Sequence, residues 1–357
     1  MLNFTVGPVQ SNLQVRQIGA EQVPYFRTPE FSAIMLESEE LMCSFAGAPK
    51  GSRAVFLTGS GTASMEAAVI NTLTPSDKVL VVNGGTFGER FVQLCQLHGI
   101  PHTQINPAFG EDVTMEDLAP YEGQGYTAFL VNVCETSTGV RYNMDLIGEF
   151  CSKNGLFLIA DAVSSFLADD CNMQKYHMDM LLTGSQKALA CPPGVSIVVM
   201  TPEAVQRVQA HSCPCMYLDL NSALKNGERG QTPFTPAVGT LRQINCRLKQ
   251  IQSDGGVAAE TAKIAAQAAD FRAKIADFPF QLVSKAPSNA VTCLRTATPV
   301  AKNIFSVLKD EYGMWVCPNG GQMADTVFRV GHIGDLTKQD NDKLIAALNS
   351  LRQRGIF

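Results

Sequence analysis

The chain has 357 residues, 45% of them hydrophobic and 17% charged, with a net charge of -5. That is material for about two globular domains with a large core. It carries no basic stripe or charge run that would suit nucleic acid, and no apolar run reaches the about 18 residues of a membrane span.

The first ten residues lack the charged start and apolar stretch of a secretory leader, so a cytoplasmic location is expected. From residue 54 to 200, apolar β-branched runs alternate with amphipathic stretches. Strands are expected at 54–58, 78–83, 102–106, 128–133, 156–161, 180–183 and 195–200. Helices are expected at 62–73, 87–98 and 145–154. Alternation with nearly continuous apolar strands predicts an α/β large domain with a mostly parallel sheet buried on both faces. Residues 202–230 read as less regular. Two long helical patterns follow, 236–251 and 257–277, parted by Asp254-Gly255-Gly256. Beyond them, strands at 280–284, 290–295, 314–317 and 326–330 and helices at 300–312 and 337–354 predict a smaller α+β C-terminal domain. The boundaries expected are an N-terminal arm (1–15), a large domain (16–253) and a small domain (254–357).

The 11 cysteines are odd in number and scattered, and Cys95, Cys134, Cys151 and Cys293 lie inside apolar runs. They read as small buried hydrophobes in a reducing compartment. Cys213 and Cys215 are the one close pair, and a zinc site needs a second pair of ligands. No metal is expected.

Four segments carry possible chemistry. Thr58-Gly59-Ser60-Gly61-Thr62-Ala63-Ser64 leaves a strand and opens a helix. Small residues and free N–H groups at a helix start suit an anion, although a tight strand-to-helix turn needs the same residues. The segment is a poor dinucleotide fingerprint, because Ser64 stands where the third glycine belongs. Asp161, in Asp161-Ala162-Val163-Ser164-Ser165, ends an apolar strand where α/β folds bind ligands. It is either a helix cap or a carboxylate that keeps a pyridinium nitrogen protonated. Lys187, in Thr183-Gly184-Ser185-Gln186-Lys187, enters an apolar loop where desolvation lowers an amine's pKa. That suits an imine-forming nucleophile, as against an ordinary loop lysine. Arg329 interrupts an apolar strand, either snorkelling outward or clamping a carboxylate; Arg295 competes for that role. Two further segments follow strands. Phe87, after Asn83-Gly84-Gly85-Thr86, is an aromatic platform or the first core residue of a helix. The hydroxyls of Glu135-Thr136-Ser137-Thr138-Gly139 bond a cofactor or make a turn. An anion turn, an aromatic, hydroxyls, a carboxylate and a lysine all fall after strands, on one sheet edge.

With these residues the sequence resembles the class V aminotransferase family, whose large domain is aspartate-aminotransferase-like, in the branch of alanine–glyoxylate, serine–pyruvate and 2-aminoethylphosphonate–pyruvate aminotransferases. Asp161-Ala162-Val163-Ser164-Ser165 and Gly184-Ser185-Gln186-Lys187-Ala188-Leu189, with Pro192-Pro193-Gly194, are its most specific matches. Phe4-Thr5-Val6-Gly7-Pro8 resembles the N-terminal P-G-P segment, with Val6 in place of the first proline. Arg27-Thr28-Pro29-Glu30-Phe31 resembles the H-R-S-x-E-F segment, with Phe26 in place of the histidine. The resemblance implies pyridoxal 5′-phosphate, with Lys187 as its Schiff-base lysine and Asp161 at the pyridine nitrogen. It implies Val163 and Phe87 on the two ring faces, and Ser137, with Thr136 second, near the phenolic oxygen. Ser60, Gly61, Thr62 and Gln186 would hold the phosphate, and Gly7 and Arg329 the substrate. Thr232 and Thr235, in Gln231-Thr232-Pro233-Phe234-Thr235, would reach the neighbouring subunit's phosphate, making a homodimer with shared sites. The implied reaction is ping-pong transfer from a small amino acid or aminophosphonate to a small 2-oxo acid. A lyase of the same fold, similar to cysteine desulfurases, is the close alternative. It wants a histidine over the ring and a later loop cysteine than Cys213 or Cys215. A ligand-binding protein without catalysis is the third reading, opposed by the intact lysine and aspartate.

Overall fold

Seven strands form the central sheet: β1 (Arg53–Thr58), β2 (Val79–Val82), β3 (His102–Ile105), β4 (Ala128–Asn132), β5 (Phe157–Asp161), β6 (Met180–Gly184) and β7 (Val195–Met200). The computed structural model describes all residues, 1–357, and places these strands in the order β1-β7-β6-β5-β4-β2-β3. β7 runs antiparallel to both neighbours, while the other six share one direction. Each strand lies within one residue of its expected bounds.

Successive side chains of a strand point to opposite faces, and here both faces are covered. Phe129 and Val131 of β4 and Leu158 and Ala160 of β5 enter one apolar core. Ala128, Leu130, Phe157 and Ile159 enter the core on the other side. This two-sided burial is why the strands read as unbroken apolar runs rather than alternating ones. The helices α1 (Gly61–Thr72) and α2 (Thr86–Leu97) follow β1 and β2 and start at the sheet's C-terminal edge.

The small unit gathers Phe280–Leu282, Val291–Thr296, Val327–Gly331 and Cys317–Pro318, in that order, into an antiparallel sheet. Its core takes Phe271, Ile304, Phe328 and Leu348 from that sheet and from the helices Gly256–Ile275, Ala301–Tyr312 and Lys338–Gln353.

Three differences from the sequence reading have physical causes. Residues 202–230 hold two helices, Pro202–Ala210 and Leu220–Gly227, capped by Thr201 and Asp219. The first buries only Ala204 and Val208, too little to show a 3.6-residue period. The expected strand 314–317 is two short ones, Met314–Trp315 and Cys317–Pro318, which pair with different partners. The N-terminal arm, where no strand was expected, holds a short one. Leu2–Asn3 pairs in parallel with Met314–Trp315, and Phe4 is fully buried in the small unit's core. From that anchor the chain runs directly past Lys187.

Phe4→Ala should therefore destabilise the protein by about 3–5 kcal/mol, the usual cost of emptying a buried aromatic site, measured by urea titration. A loss below about 1 kcal/mol would mean that the arm is not anchored there.

Candidate active site

Asp161 is the last residue of β5 and is registered opposite Asn132, the last of β4. Its Oδ2 accepts from Asn132 Nδ2 at 2.6 Å, and its Oδ1 accepts from Val163 N at 2.8 Å. The carboxyl is 6% exposed. Burial raises its pKa to about 6; the two hydrogen bonds and Lys187 act against that rise, and Glu135 adds to it.

Lys187 follows β6, the next strand over. Its Nζ donates to Val6 O at 2.6 Å, so the N-terminal arm forms one wall around it. Burial pushes its pKa down to about 8; the positive charge of Arg329 adds to the fall and Asp161 opposes it. Gly7 has to be glycine here. Its φ is +125°, and a Cβ would stand 2.7 Å from Lys187 Cδ.

The turn after β1 supplies the other end of the cleft. Ser60 is the N-cap of α1 in extended conformation, yet its side chain makes no cap hydrogen bond. The hydroxyl and the first N–H groups of the helix are thus free for an anion. Gly61 permits this approach, since a Cβ would lie 2.9 Å from Val163 Cγ2. Gln186 lines the same cleft, with its Oε1 buried and unpartnered.

The cleft has a volume of about 490 Å³. The structure brings to its wall Ser60, Gly61, Thr62, Phe87, Thr136, Asp161, Val163, Gln186 and Lys187 of the expected residues. It adds Arg90, to which the sequence reading gave no role. Arg90 Nη1 donates to Thr62 Oγ1 at 3.0 Å, and its guanidinium stands 5.0 Å from the centre of the Phe87 ring. The available signal was spacing, because residues three apart on a helix share a face.

Other expected residues lie elsewhere. Ser137 does not reach the wall. Its Oγ donates to Glu135 Oε1 at 2.5 Å and accepts from Thr86 N at 3.2 Å. The order of the two hydroxyls is therefore reversed: Thr136 lines the cleft, its Oγ1 2.7 Å from Ser164 Oγ, and Ser137 stands behind it. Arg329 donates to Thr136 O at 3.3 Å and to Pro318 O at 2.8 Å, and its Nε is buried without a partner. Thr232 and Thr235 line a separate hollow with Tyr217 and Phe234. Arg27 holds that segment by donating to Gln231 Oε1 and Thr232 O. Arg295 stands over Phe109, 5.3 Å from its ring centre. His332 is buried against Thr292, Nε2 to Oγ1 2.7 Å, and burial pushes its pKa down to about 3.

The family described as Aminotransferase class-V matches residues 24–325. The L-aspartate–glyoxylate aminotransferase of Paracoccus denitrificans is 32% identical over 293 residues, which is 79% of this chain and 74% of the relative. Among solved structures, the alanine–glyoxylate aminotransferase of Nostoc sp. superposes with a TM-score of 0.92 at 26% identity, covering 98% of this chain and 94% of that one. The aspartate aminotransferase of Thermus thermophilus superposes with a TM-score of 0.90 at 26% identity and 99% coverage of both. This chain belongs to the class V aminotransferases.

A class V aminotransferase works with pyridoxal 5′-phosphate, and the residues present fit that group. The uncapped helix start, with its free N–H groups and the Ser60 hydroxyl, suits a phosphate. A carboxylate opposite a lysine of lowered pKa suits a ring nitrogen and an aldehyde. Only the neutral amine attacks an aldehyde. Between pH 6.5 and 8, cofactor capture by the cofactor-free aminotransferase should therefore accelerate about tenfold per pH unit, because the neutral fraction of Lys187 rises until about its pKa. Above about pH 8.5 the rate should level off. Borohydride trapping against time measures this, and a rate still climbing tenfold per unit at pH 9.5 would contradict the lowered pKa.

Proposed function

We propose that this aminotransferase carries an amino group from a small amino acid to glyoxylate or pyruvate by a ping-pong reaction. The observation that carries the reading is the joint placement of Lys187, Asp161 and the free helix start of α1 in one cleft, with Arg329 close enough to depress the Lys187 pKa. When bound, pyridoxal 5′-phosphate supplies the electron sink that makes the donor's α-carbon acidic.

The chain's own residues do the rest. Ser60, Gly61, Thr62 and Gln186 hold the phosphate. Asp161 keeps a proton on the ring nitrogen; beside a cation its ionised form is favoured at neutral pH. Val163 and Phe87 would confine the ring, and Thr136 would supply a hydroxyl to it. Lys187, with a pKa of about 8, both accepts and donates a proton at neutral pH. It takes the proton from the donor's α-carbon and delivers it to the cofactor's C4′. Arg329 does not line the cleft itself, but it holds Thr136 O and its charge acts on Lys187, so it is the cation beside the cleft that would receive the substrate carboxylate. Gly7 leaves room beside Lys187 for the substrate.

The Paracoccus and Nostoc relatives are glyoxylate aminotransferases, which supports glyoxylate as acceptor. A homodimer is supported by the position of Thr232 and Thr235, which line a hollow apart from the cleft, and by the exposed Met216 and Tyr217 near them in the chain. The eleven free cysteines support a cytoplasmic location; no helix is long and apolar enough to cross a membrane.

The test is a donor panel of alanine, serine, aspartate and 2-aminoethylphosphonate, with glyoxylate or pyruvate as acceptor, followed by the cofactor's absorbance. At least one donor should convert the bound cofactor, and either acceptor should restore it. Lys187→Ala should lower turnover by at least about a thousandfold, as expected of a lost acid–base group. A bound cofactor that no donor converts, or a Lys187→Ala protein within tenfold of normal turnover, would sink the reading.

A further inference from the structure

Glu135 is a fully buried carboxylate whose partners are all N–H and O–H groups. Its Oε2 accepts from Phe87 N at 3.1 Å and from Gly88 N at 2.9 Å. Its Oε1 accepts from Ser137 N at 3.1 Å and from Ser137 Oγ at 2.5 Å. The first pair belongs to the opening turn of α2, and the second to the loop that carries Thr136. Gly85, the N-cap of α2, has no side chain to cap the helix. Glu135 does so from the short strand Cys134–Glu135, some fifty positions later in the chain.

The seat is built for that carboxylate. A Cβ on Gly85 would stand 2.4 Å from Ser137 Oγ and 2.7 Å from Glu135 Cδ. A Cβ on Gly88 would stand 2.5 Å from Val82 O. The glycines let the helix start press onto both the end of β2 and the carboxylate. A negative charge is favoured at a helix N-terminus, where backbone N–H groups lack partners. A buried carboxylate without such donors would be costly, so the turn and the carboxylate hold each other in place.

The start of α2 also carries Phe87, in the first turn, and Arg90, just after it, two side chains of the cleft wall. Glu135 itself does not line the cleft. We infer that Glu135 is a positioning residue: by capping α2 it fixes where Phe87 stands in the wall of the cofactor cleft and where Arg90 reaches Thr62. The inference rests on the cofactor reading above and deepens it, since the turn is set before any cofactor enters.

The first test needs no cofactor. Glu135→Gln keeps the shape but replaces one accepting oxygen with an NH₂ group that faces N–H donors. In the cofactor-free protein, hydrogen–deuterium exchange of the peptide 84–97 should quicken about tenfold while the peptides of β4 and β5 stay unchanged. The second test is pyridoxal 5′-phosphate affinity by fluorescence titration. Glu135→Gln should weaken it about tenfold, and Ser137→Ala, which removes one contact and no charge, about threefold. In a Phe87→Ala background, Glu135→Gln should cost less than a further twofold, because its effect passes through that ring. A general loss of stability would instead give the same penalty in both backgrounds, which would overturn the assignment. Unchanged exchange across 84–97 would overturn it as well. If the unaltered protein did not bind the cofactor, the functional reading would fail, and the exchange result would still decide the role of Glu135 in setting the turn. Should Glu135→Gln not fold, Ser137→Ala carries the same two measurements, and affinity within 1.5-fold of normal would overturn the inference.

Discussion

Everything at the cleft depends on two opposite charges placed at the ends of neighbouring parallel strands. Asp161 closes β5, and Lys187 leaves β6 after one short turn. Burial acts on both, raising the acid to about 6 and lowering the amine to about 8, while each opposes the shift of the other. Two groups that titrate on either side of neutrality suit a reaction in which one stays charged and the other exchanges a proton. The parallel sheet is what makes the pair possible, because it delivers successive strand ends to one edge. The antiparallel β7 lies on the far side of β6 and leaves that edge intact.

Around this pair the remaining parts are backbone-driven. The phosphate end is a helix start left uncapped by Ser60. The arm wall is a carbonyl, Val6 O, brought in by a strand paired to the small unit. Glycines at 7 and 61 stand where a side chain would collide with the site, and Gly85 stands where one would collide with Ser137 and Glu135 behind it. The cleft is thus bounded by pieces from across the chain, and its shape depends on the small unit as well as on the large sheet.

Much of this was legible in the sequence, for a physical reason. Strands buried on both faces leave continuous apolar runs, so the end of each run marks the site edge; the run before Asp161 is the clearest case. Lys187 and the Ser60–Thr62 turn were legible in the same way. What stayed hidden depends on three-dimensional reach. Arg90 looks like any basic residue of an amphipathic helix until the start of α2 is set against β2. Thr136 and Ser137 are adjacent hydroxyls, and nothing in their spacing tells which one Glu135 takes. The helix Pro202–Ala210 buries only two side chains, too few to leave a clear period, and a two-residue strand such as Leu2–Asn3 leaves none at all.

The most direct test of the central pair is Asp161→Asn, which keeps the size of the side chain and removes its charge. The account predicts that Lys187 still captures pyridoxal 5′-phosphate, so that borohydride still traps it there. Turnover with the best amino donor should fall at least about a thousandfold, since the ring nitrogen loses the carboxylate that keeps it protonated. Turnover within about tenfold of normal, with the cofactor still bound, would contradict the claim that the carboxylate at the end of β5 drives the chemistry.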